Sequence, residues 1–482
     1  MKINLYLAAL LCGVYAFAAD GVRYKDRLFE TSLPTTVTVA DSVPFLDKSY
    51  YNELTSLMNM FNVHPMFYMY SEEGVSFRPL EMDIYEPEGD EAENRAAVLV
   101  CHGGAFVAGT KTSFDQKAVA YVDSLAARGF VTASLEYRLG VLMSSRKETF
   151  VIDSVDFART VYKSVQDVNA AIRYLRTNAK ALRIDTNKIY ILGNSAGALL
   201  GLENIYALDE KDFPSYLNEG AQYVKMYSDE QSKYVYDTIP LGGLDRYGPR
   251  GASGVANGVV ALWGGIHDPS ILKNSKVPVF LAHGDSDYVM PYKVGYAMTE
   301  ADKMMRDNIS DEYSIVLGAI HLEVHTPTLY GSYYIDSVLT KNKVYHEFYN
   351  PEGYGLKHEF YDATRTGKDG KEIVFADSVQ NKAFDFLYRL AVGLIPGAEG
   401  PSAVSPVFAM VRPSIISMGE GGLNFTVVRD SDVAYAVFDL KGKRVLSGRA
   451  SKGETVWLSS VNNGVYFLHV QGENPRRVVI RK

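Results

Sequence analysis

The segment Gly193-Asn194-Ser195-Ala196-Gly197 sets a serine among small residues, after an apolar run ending at Leu192 and before Ala198-Leu199-Leu200. A strand that turns straight into a helix leaves no room for side chains beside the turn, so such flanks expose the serine hydroxyl at a helix N-terminus. That hydroxyl suits nucleophilic attack on an acyl carbon. Upstream, His102-Gly103-Gly104-Ala105-Phe106 follows the apolar run Ala97 to Cys101. Acyl transfer builds negative charge on a carbonyl oxygen, and backbone N–H groups on a glycine loop can stabilise it without reorganising. A serine also needs a base and a carboxylate that orients it. Of the nine histidines, His64 and His102 precede the serine, His267 sits just past an apolar run, and His469 lies in the last segment. His283-Gly284-Asp285-Ser286-Asp287 follows the run Val277 to Ala282 and supplies the acid, with Asp287 preferred to Asp285. His358, in Gly355-Leu356-Lys357-His358-Glu359-Phe360, comes later still and supplies the base. The expected catalytic set is Ser195, Asp287 and His358.

These residues need a scaffold that brings distant loops together. The apolar runs Ala97 to Cys101, Phe130 to Leu135, Lys188 to Leu192, Val259 to Trp263, Val277 to Ala282 and Val344 to Tyr349 recur with helical patterns between them. Continuous rather than alternating apolar strands predict a parallel sheet covered on both faces. Val168, Ala171, Ile172, Leu175 and Ala179 make one buried helix face, and Val379, Ala383, Phe386, Leu387 and Leu390 make another on the helix that closes the domain. A Pro/Gly-rich linker over 396–404 follows. Beyond it only short strands are expected: Leu423 to Val428, Val433 to Asp439, Val456 to Leu458, Val465 to Val470 and Arg477 to Ile480. This predicts a small all-β sandwich over 405–482.

Residues from about 80 to 395 resemble the α/β-hydrolase superfamily, in its carboxylesterase and lipase branch. The matching pieces are His102-Gly103-Gly104, Ser195-Ala196-Gly197, Leu80 to Pro87, Tyr137-Arg138-Leu139 and Asp185. The resemblance implies a doubly wound, mostly parallel α/β sheet with a lid insertion, and the chain order Ser, Asp, His. By analogy with the HGGG-type loop, the oxyanion donors are the N–H groups of Gly104, Ala105 and Ala196. It further implies a serine carboxylic-ester hydrolase working through an acyl-enzyme, with no cofactor and no metal. The substrates expected are small esters or acetylated or feruloylated plant polysaccharide. A noncatalytic binding protein on this fold normally lacks a triad member, and a prolyl-oligopeptidase-type peptidase would carry a propeller-length N-terminal domain.

Asp287 and His358 are 71 residues apart, longer than usual in this branch, which marks an insertion near 303–343. Within it His321-Leu322-Glu323-Val324-His325 is not a zinc motif, because the glutamate is central, and a solvated loop is expected instead. The segment 203–258 is the expected lid and carries Tyr206, Tyr216, Tyr223, Tyr227, Tyr234, Tyr236 and Tyr247.

Length and composition bound the rest. A chain of 482 residues, 47% hydrophobic and 22% charged, predicts two to three globular units. Net charge is −8, which offers nucleic acid no overall positive field. Residues 1–18 read as a signal peptide, with Lys2 before an apolar stretch from Ile3 to Phe17 and small residues at Ala16 and Ala18. Leu10 and Leu11 before Cys12 do not fit a lipoprotein signal. Cys101 is then the one cysteine of the mature chain, so no internal disulfide can form. The hydrolase-like domain spans 19–395, with no expected transmembrane segment. Over 401–482 there are 11 basic and 6 acidic residues, giving +5 and leaving −13 for residues 1–400. This tail resembles the C-terminal sorting domain of type IX secretion substrates, through Val437 to Lys443, Asn463 to Leu468 and the basic ending Arg481-Lys482. The resemblance implies export through the periplasm to the outer surface or beyond, with the secretion machinery as partner.

Overall fold

A computed structural model describes residues 21–49, 69–112, 117–140, 143–146, 149–152, 154–217, 221–228, 233–300, 321–360, 364–366 and 372–395. In the last segment it describes 416–418, 424–427, 433–439, 444–470 and 476–480. The expected signal peptide and linker lie outside the described residues.

Eight strands form the main sheet: β1 (Thr35–Ser49), β2 (Met69–Tyr85), β3 (Arg95–Cys101), β4 (Val131–Leu135), β5 (Ile184–Asn194), β6 (Val259–Leu262), β7 (Val279–Ala282) and β8 (His346–Tyr349). Their order is β1-β2-β4-β3-β5-β6-β7-β8. The β1–β2 and β2–β4 pairs are antiparallel, and every pair from β4 to β8 is parallel. This is the doubly wound α/β-hydrolase sheet.

The helices around it are α1 (Lys117–Ala126), α2 (Ser154–Thr177), α3 (Ala196–Tyr206), α4 (Ser332–Asn342) and α5 (Phe375–Ala391). Side chains alternate across a strand, so a strand buried on both faces feeds two cores. In β3, Ala97, Leu99 and Cys101 pack with Val165, Val168 and Ile172 of α2 and Leu199 and Leu202 of α3. Ala96, Val98 and Val100 enter the opposite core with Val122 and Leu125 of α1 and Val379, Phe386 and Leu387 of α5. That double burial is why these strands read as unbroken apolar runs.

The five α5 residues expected on one face are all buried. Helix α2 differs from the expectation in two ways. It ends at Thr177, before Ala179, and it is buried nearly all round, with Lys163, Gln166 and Asp167 inside. Arg138 forms a buried ion pair with Asp167, Nη2 to Oδ1 at 2.8 Å, and the Gln166 amide donates to the carbonyls of Leu241 and Gly243. The polar side of α2 therefore has partners, so its burial exceeds what its apolar spacing shows.

Strands β1 and β2 were not among the expected apolar runs. β1 is a sheet edge with mixed polarity and register shifts, and it tolerates Pro44 for that reason. In the tail a three-stranded and a four-stranded sheet share a core of Phe425, Val437, Leu458, Leu468 and Ile480. The strand Arg444–Ala450 was missed because most of it is exposed at a sheet edge and carries no apolar run.

Candidate active site

The loops after β3, β5, β6, β7 and β8 all leave the carboxyl ends of parallel strands, where such sheets collect ligand-binding groups. Ser195 follows β5 with φ 53° and ψ −117°, a left-handed conformation that costs a non-glycine residue energy. The surroundings enforce it. A Cβ on Gly193 would lie 2.2 Å from the Gly197 carbonyl oxygen, and one on Gly197 would lie 2.1 Å from that of Cys101. Both glycines of the pentapeptide are thus steric requirements of the turn. The Ser195 N–H donates to Leu262 O at 2.9 Å, which pins the elbow to the end of β6.

His358 Nε2 lies 2.9 Å from Ser195 Oγ, and His358 Nδ1 lies 2.7 Å from Asp287 Oδ2. The structure thus brings together the three residues expected from the sequence, across 163 residues of chain. Asp287 Oδ1 accepts from the N–H groups of Val289 and Met290 at 2.8 and 2.9 Å. Burial would raise the Asp287 carboxyl, but His358 and His283 outweigh it and hold the group well below the ordinary carboxylate range. Asp285 has a different place. Its oxygens accept from Gly353 N at 2.8 Å and Leu356 N at 3.1 Å, clamping the loop that carries His358.

Gly104 has φ 109° and Ala105 φ 52°, so the loop after β3 turns sharply beside the elbow. No backbone hydrogen bond among the described residues is donated by Gly104 or Ala105. Ala196 is the first residue of α3, where helix geometry leaves N–H groups without intrahelical acceptors. Tyr137 steadies the loop: its hydroxyl donates to His102 O at 2.7 Å and its ring stacks on His102 with centroids 4.2 Å apart. Cys101 beneath is buried, which pushes its thiol up to about 12 and keeps it unreactive.

Two neighbours of the triad escaped the sequence reading. His283, noted only as part of the acid segment, donates from Nε2 to Asp287 Oδ2 at 3.0 Å. Trp263, after β6, presents its ring edge-on to His358 with centroids 6.3 Å apart. His267 is held at Nδ1 by Glu203 of α3 at 2.8 Å and at Nε2 by Asp212 O at 2.9 Å. Burial opposes charge on His267, yet Glu203 lifts its imidazole to about 9.

Two expectations about the insertions change. His321–Val324 is a strand paired in parallel with Thr149–Ile152, not a solvated loop, and its alternation of Leu322 and Val324 with polar neighbours is a strand period. Among the described residues no group of three His, Cys, Asp or Glu side chains could hold a metal ion. In the expected lid, Tyr206 belongs to α3 and is fully buried, as is most of Tyr247. Tyr223, Tyr227, Tyr234 and Tyr236 lie on a hairpin of Ala221–Ser228 and Lys233–Pro240, and their side chains lie outside the described residues.

The sheet order and the strand-turn-helix elbow are those of the α/β-hydrolase fold. Residues 82–241 match the model of the BD-FAE family, and residues 420–481 match that of the secretion system C-terminal sorting domain. The first match includes the HGG loop and the elbow but ends before Asp287 and His358. Carboxylesterase 3B of Mus musculus is 30% identical over 122 residues, 25% of this chain and 19% of the relative. The medium-chain fatty acyl-CoA hydrolase precursor of Anas platyrhynchos is 28% identical over 121 residues, 25% of this chain and 20% of the relative. The chain thus covers about a fifth of the length of these relatives. Among solved structures, apo esterase 2 of Thermogutta terrifontis shares 16% identity, covering 68% of this chain and 95% of its own, with a TM-score of 0.33. The sorting-domain match marks the chain as one addressed for export.

Proposed function

We propose that this chain is an exported serine carboxylic-ester hydrolase, with Ser195 as nucleophile, His358 as base and Asp287 as the orienting acid. The observation that carries the reading is the continuous path from Ser195 Oγ to His358 Nε2 and from His358 Nδ1 to Asp287 Oδ2, at 2.9 and 2.7 Å. The carboxylate can only accept, so it selects the tautomer with a proton on Nδ1 and leaves Nε2 to take the serine proton. Ser195 Oγ then bonds to the acyl carbon, and the carbonyl oxygen takes up negative charge facing the N–H groups of Gly104, Ala105 and Ala196. When the tetrahedral species collapses, the ester C–O bond breaks and His358 gives the proton to the leaving alcohol. Water, deprotonated by the same imidazole, releases the acid and restores Ser195.

The BD-FAE match and the carboxylesterase relatives support ester rather than peptide chemistry. The sorting-domain match supports export, and an exported esterase can reach insoluble polymers, which favours acetyl or feruloyl esters of plant polysaccharide as substrates. The segment 203–258 is proposed as the lid. Initial rates on p-nitrophenyl acetate, methyl ferulate and acetylated xylan test the reading. Wild type should hydrolyse at least one, and Ser195→Ala should lose roughly a millionfold in kcat. Binding of acetylated xylan without hydrolysis of any ester would favour the noncatalytic alternative.

A further inference from the structure

Asp287 is the meeting point of two histidines. Its Oδ2 faces His358 Nδ1 at 2.7 Å and His283 Nε2 at 3.0 Å, and both Asp287 and His283 side chains are fully buried. With the two backbone N–H groups on Oδ1, the carboxylate has four donors for its four lone-pair sites. We propose that His283 is a positioning residue for the acid of the triad, and that Ser332, from the insertion between acid and base, holds the His283 ring in place through Nδ1. The proposal rests on the ester-hydrolase reading above.

The tautomer argument runs outward from the carboxylate. Because Asp287 accepts only, His283 must carry its proton on Nε2, which also lies 3.3 Å from Met290 O. In the neutral ring Nδ1 is then an acceptor and needs a donor. Ser332 Oγ lies 2.9 Å from it, fully buried, while its other acceptor, Gly264 O, is 3.5 Å away. Removing that hydroxyl would leave the buried Nδ1 without its donor and loosen the ring against Asp287. The placement of Ser332 is itself enforced. Gly331 precedes it, and a Cβ there would lie 1.7 Å from Pro291 O, so α4 starts pressed against the acid loop. The long spacing between Asp287 and His358 therefore contains the wall behind the acid.

The neighbours of both rings are specific. His283 faces Asp287, Met290 O, Ser332 and the edge of Tyr292. His358 faces Asp287, Ser195 and the edge of Trp263. Of the charged residues nearby, Lys357 lies over the Tyr288 ring, Glu359 accepts from Asn194, and Asp285 accepts from loop N–H groups.

The test compares His283→Gln, whose side-chain amide can still donate to Asp287, with His283→Leu, which cannot. The Leu variant should lower kcat roughly 10- to 100-fold with KM nearly unchanged, because a misaimed imidazole costs attack geometry. Its acid limb of kcat/KM should move up by about half a pH unit, since a carboxylate with one donor fewer stabilises the His358 imidazolium more. The Gln variant should recover most of kcat and the wild-type limb. Ser332→Ala should shift both quantities in the same direction by less, and it serves if the Leu variant does not fold. Histidine ¹⁵N NMR titration reads the His358 shift even without ester turnover, so failure of the esterase reading is separable from failure of this one. Equal kcat and pH profiles in the Gln and Leu variants, or a Leu variant like wild type, would overturn the proposal.

Discussion

The side-chain amide of Asn194 donates to Glu359 Oε1 at 3.1 Å, joining the residue before the nucleophile to the residue after the base. The same amide lies against the oxyanion loop, where a Cβ on Gly103 would come within 2.9 Å of Asn194 Nδ2. Glu359 pays a backbone cost to be there, since it sits at φ 50°.

That pairing predicts a separation of stability from activity. Glu359→Gly should relieve the strained φ and leave the melting temperature unchanged or higher. It should also cut kcat about tenfold while KM stays within about twofold, because the Ser195 to His358 spacing loses its brace. A Gly variant with wild-type kcat would show that the contact does not position the triad.

Asp287→Asn should lower kcat by about 10⁴, leaving His358 in the wrong tautomer. Asp285→Asn keeps one carbonyl oxygen for Gly353 or Leu356, so its loss should be near tenfold and arise from loop placement. Steady-state kinetics on one soluble ester rank the two, and the reverse order would move the acid to Asp285.

Much of this site could be read from the sequence because its constraints are local. Gly193 and Gly197 are dictated by atoms within the same turn or the adjoining strand end, and the order Ser195, Asp287, His358 follows the order of the strands. The partners of Asp287 could not be read in that way. His283 was visible as a residue but not as a donor, and Ser332 reaches it from 49 residues away through an insertion with no motif. The Asn194–Glu359 contact spans 165 residues and depends on how two strand ends meet. Edge strands such as β1 and Arg444–Ala450 were lost because one open side removes the continuous apolar pattern.

His267 and Glu203 predict a pH dependence of folding. The folded imidazole is raised from 6.5 to about 9, so the stabilisation is complete below pH 6.5 and is lost as pH rises through 9. The shift corresponds to roughly 3 kcal/mol. Urea unfolding at pH 6 and pH 9.5 should show that loss in wild type, and Glu203→Gln should flatten it. An equal slope in both proteins would exclude the pair as its source.

The tail should act in export and not in chemistry, because a module with its own core folds apart from its neighbour. A chain ending near Gly400 should keep wild-type kcat on a small ester and, in the host, remain in the periplasm. Release outside the cell together with lost activity on insoluble polysaccharide alone would assign the sandwich to carbohydrate binding.

The most direct measurement of the central claim is covalent capture of the nucleophile. Wild type incubated with a fluorophosphonate should gain the mass of one adduct, and peptide mapping should place it on Ser195. His358→Ala should label far more slowly, since nothing takes the serine proton. An adduct on another residue, or none with the protein folded, would contradict the assignment of Ser195 as the attacking group.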